Sequence, residues 1–542
     1  MTAVLPTVMS MRTRDGVRLD ADVYSPDGPG PFPVLLMRQP YGRRIASTVT
    51  YAHPSWYAAR GYLVVIQDVR GRGTSEGEFE PFIHERDDGE DTLEWVSQLP
   101  GGNGRVGMYG FSYQGATQLF AAASRHPALK VVAPAMCAFH LDRDWAYEGG
   151  ALRLYNTLSW AAQLGAESAR RWGDAEGFSV CYGIGHAPSP VQLVDPAAPA
   201  LREALADTFY GDWLDQAPGS DYWRQRSPGT MLDNVDIPAL HVGGWYDSFL
   251  TGTLAAYQHF QKGRQPQRLL VGPWGHLPWI PQVGQRWLGD SACSPVDDLQ
   301  LRWFDFFLKG ENNGVTAEPP ISLYDLGESD WKDFSAWPCR QAEKWYLVSN
   351  GRAGIDPHGG LLRARPGEGE PVEDVWVHDP WRPVPTQGGH LPPSPGIQER
   401  TALDARPDVL TYTTAAFAEP LALAGEVNVV LSCAADVDSF DLCVVLGVVD
   451  PEGRSHNLTQ GYARVAGGVV TVSLRAICAT VAAGQCLRLS ISGASYPGYA
   501  LNDGSGRVQG DIRSSDYPIM TLRLDVSESW LELPVVSATD NG

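Results

Sequence analysis

The sequence predicts an α/β protein: a mostly parallel sheet core, interrupted by a helical insertion and followed by a second, all-β domain. Three observations carry this. Solid apolar runs alternate with helical stretches through residues 15–315. The strand signal fades between 139 and 235, in a stretch rich in Trp, Tyr and Ala. After Pro319, short β-runs follow one another with turns between them.

VRLDADVYSP (17–26) alternates at period two, as a half-buried antiparallel strand does. PVLLMR (33–38), YLVVIQDV (62–69), RVGMYG (105–110) and LKVVAPAM (129–136) are solid apolar runs, which reads as parallel strands buried on both faces. DGEDTLEWVSQL (88–99) places Leu93, Val96 and Leu99 on one helical face, and ATQLFAAASRHP (116–127) is also helical. Two more strands come much later, IPALHVGG (237–244) and QRLLVGPW (267–274). A closing helix, VDDLQLRWFDFFLKG, ends at Gly310. Beyond it, WYLVS, DVLTYTT, EVNVVLSC, DLCVVLGVVD, VVTVSLR, CLRLSIS and IMTLRLDV read as a sandwich or jelly roll, with 351–407 as long loops. The domain reading is therefore 1–138 and 236–315 for the core, 139–235 for an inserted cap, and 316–542 for the β domain.

Composition narrows the function classes. With 42 Lys+Arg against 63 Asp+Glu the net charge is −21, which argues against nucleic acid and anionic membranes as partners. No stretch approaches the ~20 apolar residues of a membrane span. The eight cysteines are scattered without C-x-x-C or zinc spacing, so they read as reduced core thiols of a cytoplasmic protein. Cys433 and Cys443 could pair across two strands. The acids Asp87, Asp88 and Asp91 read as a solvated helix N-terminus and not as a metal site. No metal or organic cofactor is called for. Oligomeric state and natural substrate are not legible.

The chemistry centres on MYGFSYQGAT (108–117). Gly110-x-Ser112-x-x-Gly115 follows a strand and opens a helix. Ser112 is either a nucleophile on a strained turn or a hydroxyl capping that helix. Later groups select between these readings. GGWYD ends at Asp247 just past one strand, and GPWGH ends at His276 just past the next. The order Ser, Asp, His, each leaving a buried strand into a loop, is that of a nucleophile, an orienting acid and a base. His241 lies inside a strand and reads as core; His126 sits near a helix end. Asp68, Arg70 and Arg72 of DVRGRGTSEG read as one structural ion-pair network.

These stretches, with RQPYGR (38–43), DVRGRGTSEGEF (68–79) and WFDFFLKG (303–310), resemble the cocaine esterase family. That group includes α-amino acid ester hydrolases, glutaryl-cephalosporin acylases and X-prolyl dipeptidyl aminopeptidases. The resemblance spans almost the whole chain. It implies an α/β-hydrolase core, a helical cap and a C-terminal jelly roll. It also implies that Tyr41 donates its hydroxyl to the oxyanion, although Gln39 stands where the family usually has Asn. The backbone N–H of Tyr113 would be the second donor. Trp160 and Phe249 fall where the family walls the acyl group, and with Trp145 and Tyr147 they suggest an apolar or aromatic acyl site. Amino-ester members bind a substrate ammonium with acids, for which Glu148 and Asp144 are the candidates.

The expected activity is hydrolysis of a small-molecule carboxylic ester or amide through an acyl-enzyme. The alternatives are an X-prolyl aminopeptidase or β-lactam acylase, and, from another class, a carbohydrate- or partner-binding protein with an inactive hydrolase domain.

Overall fold

In the computed structural model, which describes residues 5–338, 342–356, 358–368, 370 and 372–536, the apolar runs build one ten-stranded sheet. Its strands are β1 (Thr7–Arg12), β2 (Arg18–Tyr24), β3 (Phe32–Gln39), β4 (Leu63–Asp68), β5 (Gly102–Phe111), β6 (Leu129–Ala135), β7 (Ala239–Tyr246), β8 (Gln267–Gly275), β9 (Ile321–Asp325) and β10 (Asp330–Phe334). Their spatial order is β1-β2-β4-β3-β5-β6-β7-β8-β9-β10. The strands from β4 through β9 in that order pair in parallel, and β1, β2 and β10 are antiparallel.

Both faces of this sheet are covered, which is why its strands read as unbroken apolar runs. Val34, Leu36 and Val65 pack on one side with Leu93 and Val96 of α1 (Glu85–Ser97), Leu119 of α2 (Tyr113–Ala123) and Phe260. Leu35, Met37, Val64 and Ile66 point the other way, onto Tyr57, Trp303 and Phe304. The helix 296–304 continues as a wider turn to Lys309 and stops at Gly310.

Two expectations change here. β2 is antiparallel but not half-exposed: its acids are buried, Asp22 against Arg43 at 2.7 Å and Asp20 against Ser10 at 2.7 Å. Its period-two pattern reflects paired charges in place of a wet face. The sheet also runs on past residue 316 through β9 and β10. The division drawn at 315/316 therefore marks a change of sequence pattern, and the hydrogen bonding crosses it.

The insertion between β6 and β7 is helical, led by α3 (Leu154–Trp172), and carries a small hairpin, Tyr147–Glu148 with Ala151–Leu152. The second domain is another ten-stranded sheet, from Glu343–Ser349 to Met520–Leu533. It curls until its end strands, Ser455–Val465 and Gly468–Val481, lie side by side as a nearly closed jelly-roll barrel. Val427, Val429 and Leu431 share its buried face. The 351–407 stretch, expected as loops, contributes strands Gly360–Arg363 and Glu373–His378. One apolar cluster runs from Leu250, Leu269 and Leu323 to Val427, Leu442 and Leu524, so the two sheets share a core. Cys433 and Cys443 are both free thiols, and Cys339 lies outside the described residues. Among the described residues no helix is long and apolar enough to cross a membrane.

Candidate active site

Four parallel strands, β3, β5, β7 and β8, with β6 between β5 and β7, end at one edge of the sheet, and each hands a polar residue to that edge: Tyr41, Ser112, Asp247 and His276. Ligands of open α/β sheets bind at this carboxyl edge.

Ser112 joins β5 to α2 with φ 60° and ψ −128°, a backbone conformation that costs a non-glycine residue ~1–3 kcal/mol. Surrounding contacts hold it there. Its N–H donates to the carbonyls of Ala135 and Met136 at 3.0 and 3.1 Å. Gly110 has φ 137°, and a Cβ there would sit 2.5 Å from that of Gln114. At Gly115 a Cβ would meet the Ala135 carbonyl oxygen and Cys137 Cβ at 2.8 Å each, so the helix can approach β6 only without one. The Ser112 side chain makes no capping hydrogen bond to α2, which removes the helix-cap alternative.

Asp247 is completely buried. Its Oδ1 lies 2.8 Å from His276 Nδ1, and its Oδ2 accepts the Phe249 N–H at 3.0 Å. The carboxylate thus meets the imidazole at Nδ1 and leaves Nε2 as the outward nitrogen. Phe111 and Phe249 flank the ring at 5.3 and 5.0 Å between centroids.

The Tyr41 hydroxyl lies beside Ser112 and accepts from Trp160 Nε1 at 3.2 Å. Burial pushes its pKa up to about 12, so it keeps its proton at neutral pH. Gln39 has a defined use: its Oε1 accepts the Tyr41 N–H at 3.1 Å and braces the turn after β3. Tyr113 begins α2, where backbone N–H groups lack intrahelical partners. Its side chain points away into the core and donates to Glu85 Oε1 at 2.7 Å, and Glu85 in turn pairs with buried Arg38 at 2.8 Å.

Trp145 bridges the two expected wall residues, 4.4 Å from Phe249 and 5.0 Å from Trp160 between ring centroids. Tyr147 does not join them; its hydroxyl donates to the Trp213 carbonyl inside the cap at 2.7 Å. The two acids offered for an ammonium group are committed elsewhere. Asp144 accepts the N–H groups of Phe139 and His140, and Glu148 pairs with Arg153 at 2.7 Å. Burial raises the Asp144 pKa to about 7.

The DVRGRG segment also resolves differently from its expectation. Asp68 pairs with Arg43 at 2.5 Å, and Arg70 with Asp15 and Asp88 at 2.7 Å each. Among the described residues Arg72 meets no carboxylate. Its fully buried guanidinium donates to the Pro40 carbonyl at 2.9 Å and to Leu164 and Ser168 of α3 at 3.2 and 3.1 Å, tying the Tyr41 turn to the cap. The acids of α1 are met by Arg14 and Arg70. Among the described residues no group of three or more His, Cys, Asp or Glu side chains could hold a metal ion. His241 is fully buried in β7, as its place in the strand suggests.

Comparison with known proteins agrees with this architecture. Residues 15–278 match the family model of X-Pro dipeptidyl-peptidase (S15 family), and residues 313–522 match the X-Pro dipeptidyl-peptidase C-terminal non-catalytic domain. Over 527 residues the chain is 32% identical to cocaine esterase of Rhodococcus sp. (strain MB1 Bresler), covering 91% of this chain and 92% of that one. Two solved structures share the fold at 22% identity. An aminopeptidase from a marine sediment Thaumarchaeota archaeon has a TM-score of 0.83, covering 99% of this chain and 97% of its own. An α-amino acid ester hydrolase has a TM-score of 0.79, covering 99% and 98%. Ester or amide hydrolysis by a serine enzyme is the activity of this group, and the chain belongs to the cocaine esterase family of serine hydrolases.

Proposed function

We propose that this chain hydrolyses carboxylic esters with a neutral, apolar or aromatic acyl group, using Ser112 as nucleophile, His276 as base and Asp247 as the orienting acid. The observation that carries the reading is the strained Ser112 turn, with Tyr41 beside it at the same sheet edge and the His276–Asp247 pair leaving adjacent strands. Ser112 Oγ attacks the ester carbonyl while His276 Nε2 takes its proton. The resulting oxyanion is met by the Tyr41 hydroxyl and the Tyr113 N–H. Collapse expels the alcohol, protonated by His276, and leaves the acyl group on Ser112. Water, deprotonated by the same imidazole, then releases the acid. Asp247 holds His276 with its Nδ1 proton inward and stabilises the imidazolium. The aromatic wall of Trp145, Trp160 and Phe249 supports an apolar acyl group. The commitment of Asp144 and Glu148 to internal partners argues against recognition of a substrate ammonium, and so against the aminopeptidase alternative. Seven free cysteines among the described residues support a reducing, cytoplasmic setting.

Ser112→Ala tests the reading. It should remove turnover of aryl esters by a factor on the order of 10⁴ or more, and abolish fluorophosphonate labelling, without unfolding the protein. A variant keeping most of its rate would end the assignment.

A further inference from the structure

Glu148 sits where three parts of the chain meet. It belongs to the small hairpin of the insertion, and its Oε2 accepts from Arg153 Nη2 at 2.7 Å, His390 Nε2 at 2.8 Å and Arg475 Nη2 at 3.3 Å. Arg153 immediately precedes α3. His390 and Arg475 come from the C-terminal domain, Arg475 from the strand Gly468–Val481. Burial, with Arg475 alongside, pushes the His390 pKa down to about 3, so its neutral ring donates to the carboxylate through Nε2. The buried charges then balance: Glu148 and Asp247 against Arg153 and Arg475.

Both arginines also reach beyond Glu148 to the turn after β7. Arg475 Nη1 donates to the Asp247 carbonyl at 3.0 Å, and its Nη2 to the Ser248 carbonyl at 2.9 Å. Arg153 Nη1 donates to the same Ser248 carbonyl at 2.9 Å. The Ser248 hydroxyl donates to the His390 carbonyl at 2.8 Å. A domain clamp needs only the ion pair. The two further bonds, to successive carbonyls, use the planar fork of a guanidinium, which a lysine cannot reproduce.

We propose that Arg475 is a positioning residue of the acyl-transfer site: reaching in from the C-terminal β domain, it fixes the Asp247–Ser248 backbone and thereby the carboxylate that orients His276. The inference rests on the reading of Ser112, His276 and Asp247 as the catalytic trio. It makes the C-terminal domain part of the working geometry, although the trio itself comes from the first sheet.

The test uses the full chain with Arg475→Met, Arg475→Lys and the charge-balanced pair Glu148→Gln/Arg475→Met. Rates are expressed per active site counted by exhaustive fluorophosphonate labelling, so that lost folded protein does not imitate lost catalysis. Misplacing a catalytic group by ~1 Å can cost about 10²-fold, so kcat should fall about 10- to 100-fold in Arg475→Met, with KM held. Arg475→Lys keeps the charge but not the fork and should fall in between. The far-downfield proton resonance of His276 Nδ1–H should weaken or broaden along the same series. A purely structural arginine predicts otherwise: kcat per labelled site within about twofold of wild type and an unchanged resonance in every variant that folds. That result overturns the proposal, as does activity lost only in proportion to labelled sites. If Ser112→Ala retains its rate, the trio itself fails. If Ser112→Ala is dead while the Arg475 variants keep wild-type kcat, only this inference fails.

Discussion

Replacing Tyr41 by Phe deletes one oxygen and keeps the ring. That oxygen accepts from Trp160 Nε1 beside Ser112, and burial pushes its pKa up to about 12. It therefore keeps its proton near neutral pH, and under the proposed mechanism its loss leaves the oxyanion with the Tyr113 N–H alone. Removing one such donor costs about 10²–10³ in kcat, or ~2.7–4 kcal/mol of transition-state stabilisation. The ground state loses much less. Trp160 gives up its acceptor, but it is only partly buried, so the net cost to stability is that of one neutral hydrogen bond, ~0.5–1.5 kcal/mol. The aromatic wall is untouched, so KM should stay within a few-fold. Steady-state kinetics on a series of aryl esters, with thermal unfolding as the control, measure both quantities. A raised KM with unchanged kcat would place the hydroxyl in substrate binding, and a kcat within about threefold of wild type would remove Tyr41 from the mechanism altogether. The wild-type rate should also show no loss from Tyr41 ionisation below about pH 11, since its pKa is about 12.

Other outcomes follow from the same geometry. Asp247→Asn keeps the shape but takes away the charge that fixes the Nδ1 proton of His276, and kcat should fall on the order of 10⁴-fold in the aryl ester assay. Gly115→Ala drives a Cβ to 2.8 Å from the Ala135 carbonyl oxygen; it should cost ~1–3 kcal/mol and lower both the thermal transition and kcat, because the displaced helix carries the Ser112 turn. Acid should destabilise the fold through His241, whose pKa burial lowers from 6.5 to about 4. As pH falls below 6.5 the unfolded chain takes up that proton first, so stability declines toward pH 4 by ~3 kcal/mol, and a denaturation series on His241→Asn should show a flatter acid slope.

The sheet was legible because its physics is simple. Parallel strands covered on both faces must be apolar throughout, and Val34–Met37 and Leu63–Ile66 are. The missed strands break that rule for identifiable reasons. Ser455–Val465 buries Asn457, Thr459 and Gln460, whose polar side chains erase the period-two signal. Asn457 earns its burial by donating to Gly396 and accepting from the Gln398 N–H, at 3.0 and 2.8 Å. Gly360–Arg363 and Glu373–His378 are short and surrounded by Pro and Gly, which locally favour loops. β9 and β10 read as the start of the second domain because nothing in a strand's own sequence says which sheet it joins.

The site divides along a similar line. Ser112, Asp247 and His276 stood out because each follows a strand end, a local mark that survives in one dimension. Tyr41 entered only through family resemblance, Arg72 only as a member of an ion-pair network it does not join, and Arg475 not at all, since an arginine's partners lie far away in sequence: 228 residues separate Arg475 from the carbonyl of Asp247. Glu148 shows the limit most clearly. The family resemblance offers it, with Asp144, for a substrate ammonium, and cations are what it holds; but they are two of the protein's own arginines. A buried carboxylate left unpaired would cost several kcal/mol, so such a residue has to be supplied with its charge partner by the fold or by the substrate. Here the fold supplies it, and the same arginines continue to the backbone of Asp247. Substrate ammonium groups then have no free counter-charge at Glu148, which supports the neutral acyl group proposed for this site.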